Sequence, residues 1–215
     1  MKRFFDICCS SIGLLILLPL FTVVAVIVKL DSRGPVFFRQ QRIGRNFKPF
    51  RIYKFRTMTT DAPEKGPEIT FGGDKRVTRI GRILRKYKID ELPQLINVLK
   101  GDMSLVGPRP EVEKYVELYK EDYKHILQVR PGVTDISSIT YRDEEGVLMD
   151  KKDPEAYYRQ VLLPEKIRLA REYIDRASFF YDLRLIFKTV YRIFYPSFTI
   201  QPQSARSNAK KRKID

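Results

Sequence analysis

Hydrophobic residues are massed near the start of the chain and spaced out everywhere else. Residues 12–28, IGLLILLPLFTVVAVIV, carry no charge. Lys2 and Arg3 precede the run, and Lys29, Arg33, Arg39, Arg42 and Arg45 follow it. As an α-helix it is about 26 Å long at about 1.5 Å per residue. That is just short of a hydrocarbon core of about 30 Å. Pro19 stands in the middle of the run. It removes a backbone donor, frees the carbonyl near Leu15 and predicts a kink. Basic residues on both flanks give no sidedness for a single span. On the residues alone three readings stand: a plain transmembrane anchor, a bent helix that enters and returns on one side, and a buried core helix. A signal peptide fits less well, because Lys29, Leu30 and Asp31 stand where a small-residue cleavage site is needed.

After a turn at DSRGP (31–35), the pattern shortens. Residues 36–58 alternate apolar and basic positions and are rich in aromatics, which predicts short strands. Residues 59–74 hold Pro, Gly and Asp and predict a loop. Thr78 to Tyr87 has helical spacing, with Ile80, Ile83 and Leu84 on one side. Pro93 favours the first turn of a further helix, with Leu95, Ile96, Val98 and Leu99 as its apolar face and Gly101 as its stop. GDMSLVGPRPE (101–111) and RPGVTD (130–135) predict turns, residues 112–128 a polar helix, and 143–153 a surface loop. Helices are expected from Pro164 to about Asp175 and from about Ser178 to Phe194. The latter sets Phe179, Leu183, Ile186, Phe187, Val190 and Phe194 on one face and Arg184, Lys188 and Arg192 on another, a pattern suited to a membrane interface. The basic tail SARSNAKKRKID is expected to be disordered. The expected class is α+β, mainly helical.

Composition narrows the partners. With 43% hydrophobic residues in 215, the chain can bury a core. Its 41 Lys+Arg against 26 Asp+Glu, net +15, call for an anionic partner: nucleic acid, an acidic membrane surface or a phosphorylated substrate. Cys8 and Cys9 are adjacent, and there is no CxxC or His cluster, which speaks against a disulfide framework and a zinc site. His125 has no partner at any motif spacing. A basic membrane-tethered binding protein is a competing reading, but no zinc-finger or helix-turn-helix pattern supports nucleic acid as the ligand.

Against this basic background KIDELPQL (88–95) places Asp90 beside Glu91, just before a helix start. Backbone N–H groups and the helix dipole favour ionised acids there, and taken alone the pair reads as an ordinary helix start. Arg109 is held on an extended backbone by Pro108 and Pro110, and a guanidinium fixed this way suits a phosphate.

The order of the longer motifs carries more. KFRTM (54–58), DKRVTRIGRILRKYKIDELPQLINVLKGDMSLVGPRPE (74–111) and RPGVT (130–134) closely resemble the bacterial sugar transferases, the monotopic polyprenol-phosphate phosphoglycosyl transferases, over roughly residues 1–195. The chain looks like the minimal form of that family. The resemblance implies a proline-bent re-entrant membrane helix over 1–33, broken at Pro19, a small cytoplasmic catalytic domain over 34–202 with amphipathic interfacial helices, and a basic tail over 203–215. It implies a UDP-sugar donor, undecaprenyl phosphate as acceptor, Mg²⁺ as cofactor and a place among the lipids at the cytoplasmic face of a bacterial inner membrane. Homo-oligomerisation is left open, and nucleic acid is not an expected partner. By the same resemblance Asp90 is the nucleophile and a Mg²⁺ ligand, and Glu91 its partner toward the acceptor. Arg109 is the expected phosphate clamp, with Lys88 and Arg85 as lesser candidates. Two departures from the family pattern stand out: Leu18 where some members have Ser before the proline, and Asp135 with ISSITYRDEE after the PGVT turn.

Overall fold

The computed structural model describes residues 1–62, 66 and 69–194. The tail expected over 203–215 and part of the 59–74 loop lie outside the described residues. Helix α1 (Lys2–Asp31) is assigned as one helix through Pro19, and it is the one helix among the described residues long and apolar enough to cross a membrane. Thr22 Oγ1 donates back to Leu18 O at 3.0 Å, a bond of the kind that bends helices. Asp6, Ser10, Val24 and Val28 are buried along one stripe, while Ile12, Leu15, Ile16, Leu18, Val23, Val26 and Leu30 are exposed on the other side. Spacings of 4, 14 and 4 residues put the buried set on one helical face.

Strands β1 (Phe37–Ile43) and β2 (Pro49–Phe55) form an antiparallel hairpin with Phe37 opposite Phe55. Phe55 packs with Leu84, Val24 and Val28, which fastens the second half of α1 to the hairpin and to α2 (Arg79–Lys86). Thr78 caps α2, its Oγ1 accepting from Gly81 N at 2.9 Å. Helix α3 (Gln94–Lys100) ends at Gly101, whose φ of +91° is the left-handed stop expected of it. The inner face of α3 is Gln94, Asn97 and Val98 rather than a purely apolar one. Asn97 bridges to β2, accepting from Tyr53 N at 2.9 Å and donating to Arg51 O at 2.8 Å. Leu95 instead faces Gly13 of α1.

Three sequence expectations change. First, strand β3 (Ser104–Val106) pairs in parallel with β4 (Gly132–Thr134), where two turns were expected. Strands this short, formed between distant segments, leave no periodicity to read. Gly107 and Gly132 allow the close approach: a Cβ on Gly132 would lie 2.1 Å from Gly107 N. Second, the helix expected over 112–128 is two, α4 (Glu113–Leu118) and α5 (Lys120–Ile126), interrupted at Tyr119, whose hydroxyl donates to Arg159 O at 3.0 Å. Third, part of the expected 143–153 loop is α7 (Glu144–Met149), capped by Asp143 and seated on fully buried Leu148. Helix α6 (Ile136–Thr140) precedes it.

Helix α8 (Pro154–Tyr157) runs through a π turn (Tyr158–Leu162) into α9 (Leu163–Arg176), and α10 (Phe179–Phe194) closes the described fold. The main core joins α4, α5 and α9 through Tyr115, Val116, Tyr123, Ile126, Leu163 and Ile167. Helix α10 turns Asp182 and Leu185 inward and leaves Phe180, Phe187, Val190 and Tyr191 exposed beside Arg184 and Lys188. This mainly helical body with small sheets fits the α+β class.

Candidate active site

Helix α2 ends, and Lys88 takes a left-handed conformation (φ 58°) that few non-glycine residues adopt. The chain then makes a tight turn, Ile89–Glu91, before Pro93 opens α3. The turn buries Asp90 to 6% exposure, against a basic surround. Glu91 points to two cations from other elements. Lys54 on β2 donates to Glu91 Oε1 at 2.8 Å. Arg109 donates through Nη2 to Oε1 at 2.7 Å and through Nη1 to Oε2 at 3.3 Å. Arg109 Nη1 also lies 3.4 Å from Ser138 Oγ, on α6.

The two neighbouring carboxylates live in opposite environments. Burial first, and then the charge of Glu91, push the Asp90 carboxyl above its ordinary value; Lys54, Lys88 and Arg85 oppose this. For Glu91 burial also works upward, but Arg109, then Lys54 and Lys88, outweigh it and hold the group well below its ordinary value. The charge on Glu91 in turn lifts Arg109 well above its ordinary value, while burial lowers Lys54. Asp90 Oδ1 is buried with no hydrogen-bond partner. Such an atom is costly to leave unmade, which makes it a candidate contact for a ligand.

The structure therefore brings Asp90, Glu91 and Arg109 together, with Lys88 beside them. Arg85 neighbours Asp90 but is engaged elsewhere, donating to Thr57 Oγ1 at 2.8 Å and Glu145 Oε1 at 2.5 Å. Pro19 lies in α1, outside this cluster. Lys54 was overlooked as a site residue, although it stands inside KFRTM. In the structure it follows buried Ile52 by two positions, on the same face of the strand, a placement that the sequence alone does not mark. A second buried network, also unforeseen, backs the site. Lys166 meets Glu144 at 2.6 Å and Tyr158 Oη at 3.2 Å, and Tyr158 donates to Glu111 at 2.6 Å.

Comparison with known proteins gives the family. Residues 1–196 match the family model described as bacterial sugar transferase, and the chain belongs to that family. It is 40% identical over 194 residues to the UDP-N-acetylgalactosamine-undecaprenyl-phosphate N-acetylgalactosaminephosphotransferase of Aeromonas hydrophila, covering 88% of this chain and 42% of that protein. It is 36% identical to the UDP-glucose:undecaprenyl-phosphate glucose-1-phosphate transferase of Escherichia coli, covering 90% and 40%. An uncharacterized sugar transferase of Bacillus subtilis is 40% identical, covering 90% and 87%. The chain thus spans less than half the length of the first two relatives and most of the third.

Proposed function

We propose that this chain transfers a phosphosugar from a UDP-sugar to undecaprenyl phosphate at the cytoplasmic face of a bacterial membrane, the step that starts assembly of a glycan. The family and the names of its relatives support the substrate classes. The observation that carries the mechanism is Asp90: buried, set among cations, with one carboxylate oxygen unbonded. On this reading an Asp90 oxygen attacks the phosphorus that bears the sugar. The bond from that phosphorus to the oxygen of the uridine phosphate breaks, and UMP leaves with the electron pair. An oxygen of the polyprenyl phosphate then attacks the same phosphorus, and the Asp90 carboxylate is released.

Lys54, Lys88 and Arg109 supply positive charge for the phosphates, which a weak carboxylate nucleophile needs. Glu91 is held ionised by Arg109 and Lys54, so it is a poor proton acceptor. Its role is to orient those two cations, and thereby the acceptor phosphate. The donor set also suits Mg²⁺. No group of three His, Cys, Asp or Glu residues placed to hold a metal ion occurs among the described residues; magnesium characteristically takes one or two carboxylates, water and substrate phosphate. Asp90 would hold it through Oδ1. When bound, the ion neutralises phosphate charge.

The test is UMP release from a UDP-sugar and Mg²⁺ without acceptor. The expected outcome is at most one equivalent per enzyme, with the mass of a phosphosugar on the peptide containing Asp90. No UMP until acceptor is added, in enzyme that turns over fully, would remove the covalent step.

For α1 we infer a re-entrant seating. Lys2 and Arg3 at one end, and Val24 and Val28 toward the other, all touch the same globular body. Cysteines placed at positions 2 and 35 are expected to be protected from an impermeant reagent in intact cells. Labelling of position 2 from outside would establish a true span.

A further inference from the structure

Asp6 is the one acid in the first turns of α1, and it is 3% exposed. A carboxylate buried so far is tolerated only when its oxygens are satisfied. Both are, and both by β3: Oδ2 accepts from Ser104 Oγ at 2.8 Å and Oδ1 from Leu105 N at 3.1 Å. Lys2 reaches the next residue of the strand, donating to Val106 O at 2.9 Å, and also pairs with Asp182. Tyr173 Oη donates to Asp182 at 2.8 Å and lies 3.2 Å from the same carbonyl. Three consecutive residues of β3 are thus gripped from α1. On its other edge β3 pairs with β4, and Gly107 N donates to Thr134 O at 3.1 Å.

What leaves this clamp is Pro108–Arg109–Pro110. Only Gly107 and a stiff proline separate the strand from the guanidinium that meets Glu91. Gly107 is packed closely against the chain that enters β4, where a Cβ on it would lie 2.4 Å from Arg130 O. The short, stiff link leaves little chain to absorb a shift of β3 before Arg109.

We propose that Asp6 is a positioning residue for Arg109: the first turns of α1 set the register of β3 and so aim the guanidinium at Glu91 and the substrate phosphates. A consequence is that an unseated α1 disorders the phosphate site, not merely the attachment of the enzyme. This rests on the transferase reading for its kinetic arm, but not for its chemical one.

The chemical arm is the rate at which an arginine-selective dicarbonyl modifies Arg109 in the full chain, read by peptide mass spectrometry. Arg171, paired with Asp122 at 2.5 Å on the distal side of α9, reports general loosening. Asp6→Ala is expected to speed modification of Arg109 roughly tenfold with Arg171 unchanged. Asp6→Asn keeps the shape and an acceptor, and restores most of the protection. If Asp6→Ala does not fold, Ser104→Ala, which removes one bond, is expected to give about a threefold rise. The kinetic arm is a double-mutant cycle on UMP release, in which Asp6→Ala costs about tenfold alone but less than threefold in an Arg109→Lys background. An unchanged Arg109 rate, an equal rise at Arg171, or kinetic losses that simply multiply would each overturn the proposal. Absence of UMP release in wild-type protein would instead count against the transferase reading and leave the modification result standing.

Discussion

Two buried acidic sites in this protein have opposite bookkeeping. Asp74 (7% exposed) is closed: it accepts from Arg76 N and Nε at 3.0 Å through Oδ1, and from Arg76 Nη2 at 2.7 Å through Oδ2. Arg76 also donates to Ala62 O and Ile69 O, which ties the loop after β2 to the body. Burial alone would raise the Asp74 carboxyl, but the Arg76 bonds outweigh it and leave the group below its ordinary value. Asp90 is as buried, yet one oxygen is unbonded and its carboxyl is raised. On the proposed mechanism, the contrast separates an ion pair that holds a fold from a carboxylate kept open for chemistry.

Exchanging each acid for its amide breaks the contrast most directly. Asp90→Asn is expected to abolish both UMP release and the covalent adduct, because an amide does not attack phosphorus. It is also expected to raise the thermal midpoint, since it removes a charge that burial disfavours. Asp74→Asn is expected to do the reverse. It destabilises by about 2–3 kcal/mol, the loss of charge-assisted hydrogen bonds to a buried arginine, and the folded fraction retains adduct formation. A lower midpoint for Asp90→Asn would show that its charge is structural.

Arg109→Lys sharpens the comparison by testing the pairing next to Asp90. It keeps the charge and loses the fork to Glu91. Initial rates are expected to fall about tenfold to hundredfold, equivalent to roughly 1.5–3 kcal/mol. The smallest effect comes from acid. Asp90 is raised, so adduct formation declines as pH falls through a range above the ordinary carboxylate value of about 4. Asp74 is depressed, so its stabilisation is full above the unfolded value and disappears only as pH falls through the lower folded one. Adduct formation is therefore expected to disappear before the fold does, measured as adduct yield against near-ultraviolet circular dichroism.

Helices α2 and α3 were legible because each has a local cause, whereas the acidic pair taken alone reads as a helix start and stood out only through the family motifs around it. Thr78 caps, Gly101 stops, and Pro93 opens a helix next to Asp90 and Glu91. Arg109 was legible because two prolines bracket it. Lys54 stood inside a recognised motif but read as strand surface, since only the third dimension shows which cation faces an acid. The β3–β4 pair was not legible: three residues per strand carry no periodicity, and the pairing depends on two glycines that read as turns. Asp6 was passed over for a related reason, because a lone acid after Lys2 and Arg3 looks like a helix flank until its partner 98 residues away is known. The stripe expected on α10 leaves Phe179, Phe187 and Val190 exposed, while the residues turned inward, Asp182 and Leu185, lie outside it. Periodicity locates a face but does not say which medium it meets.

The contacts of α1 also bear on how the chain is made. Its partners lie far along the sequence: Ser104 is 98 residues from Asp6, and Asp182 is 180 residues from Lys2. Long-range contacts of this kind form late, after the entropy of closing a large loop has been overcome. During synthesis α1 leaves the ribosome well before the strand and helix that will hold it. Throughout that interval its apolar surface is an aggregation hazard in water. On the proposed seating, the bilayer shelters the helix until β3 and α10 have been translated, so the lipid acts as a folding partner before it supplies a substrate.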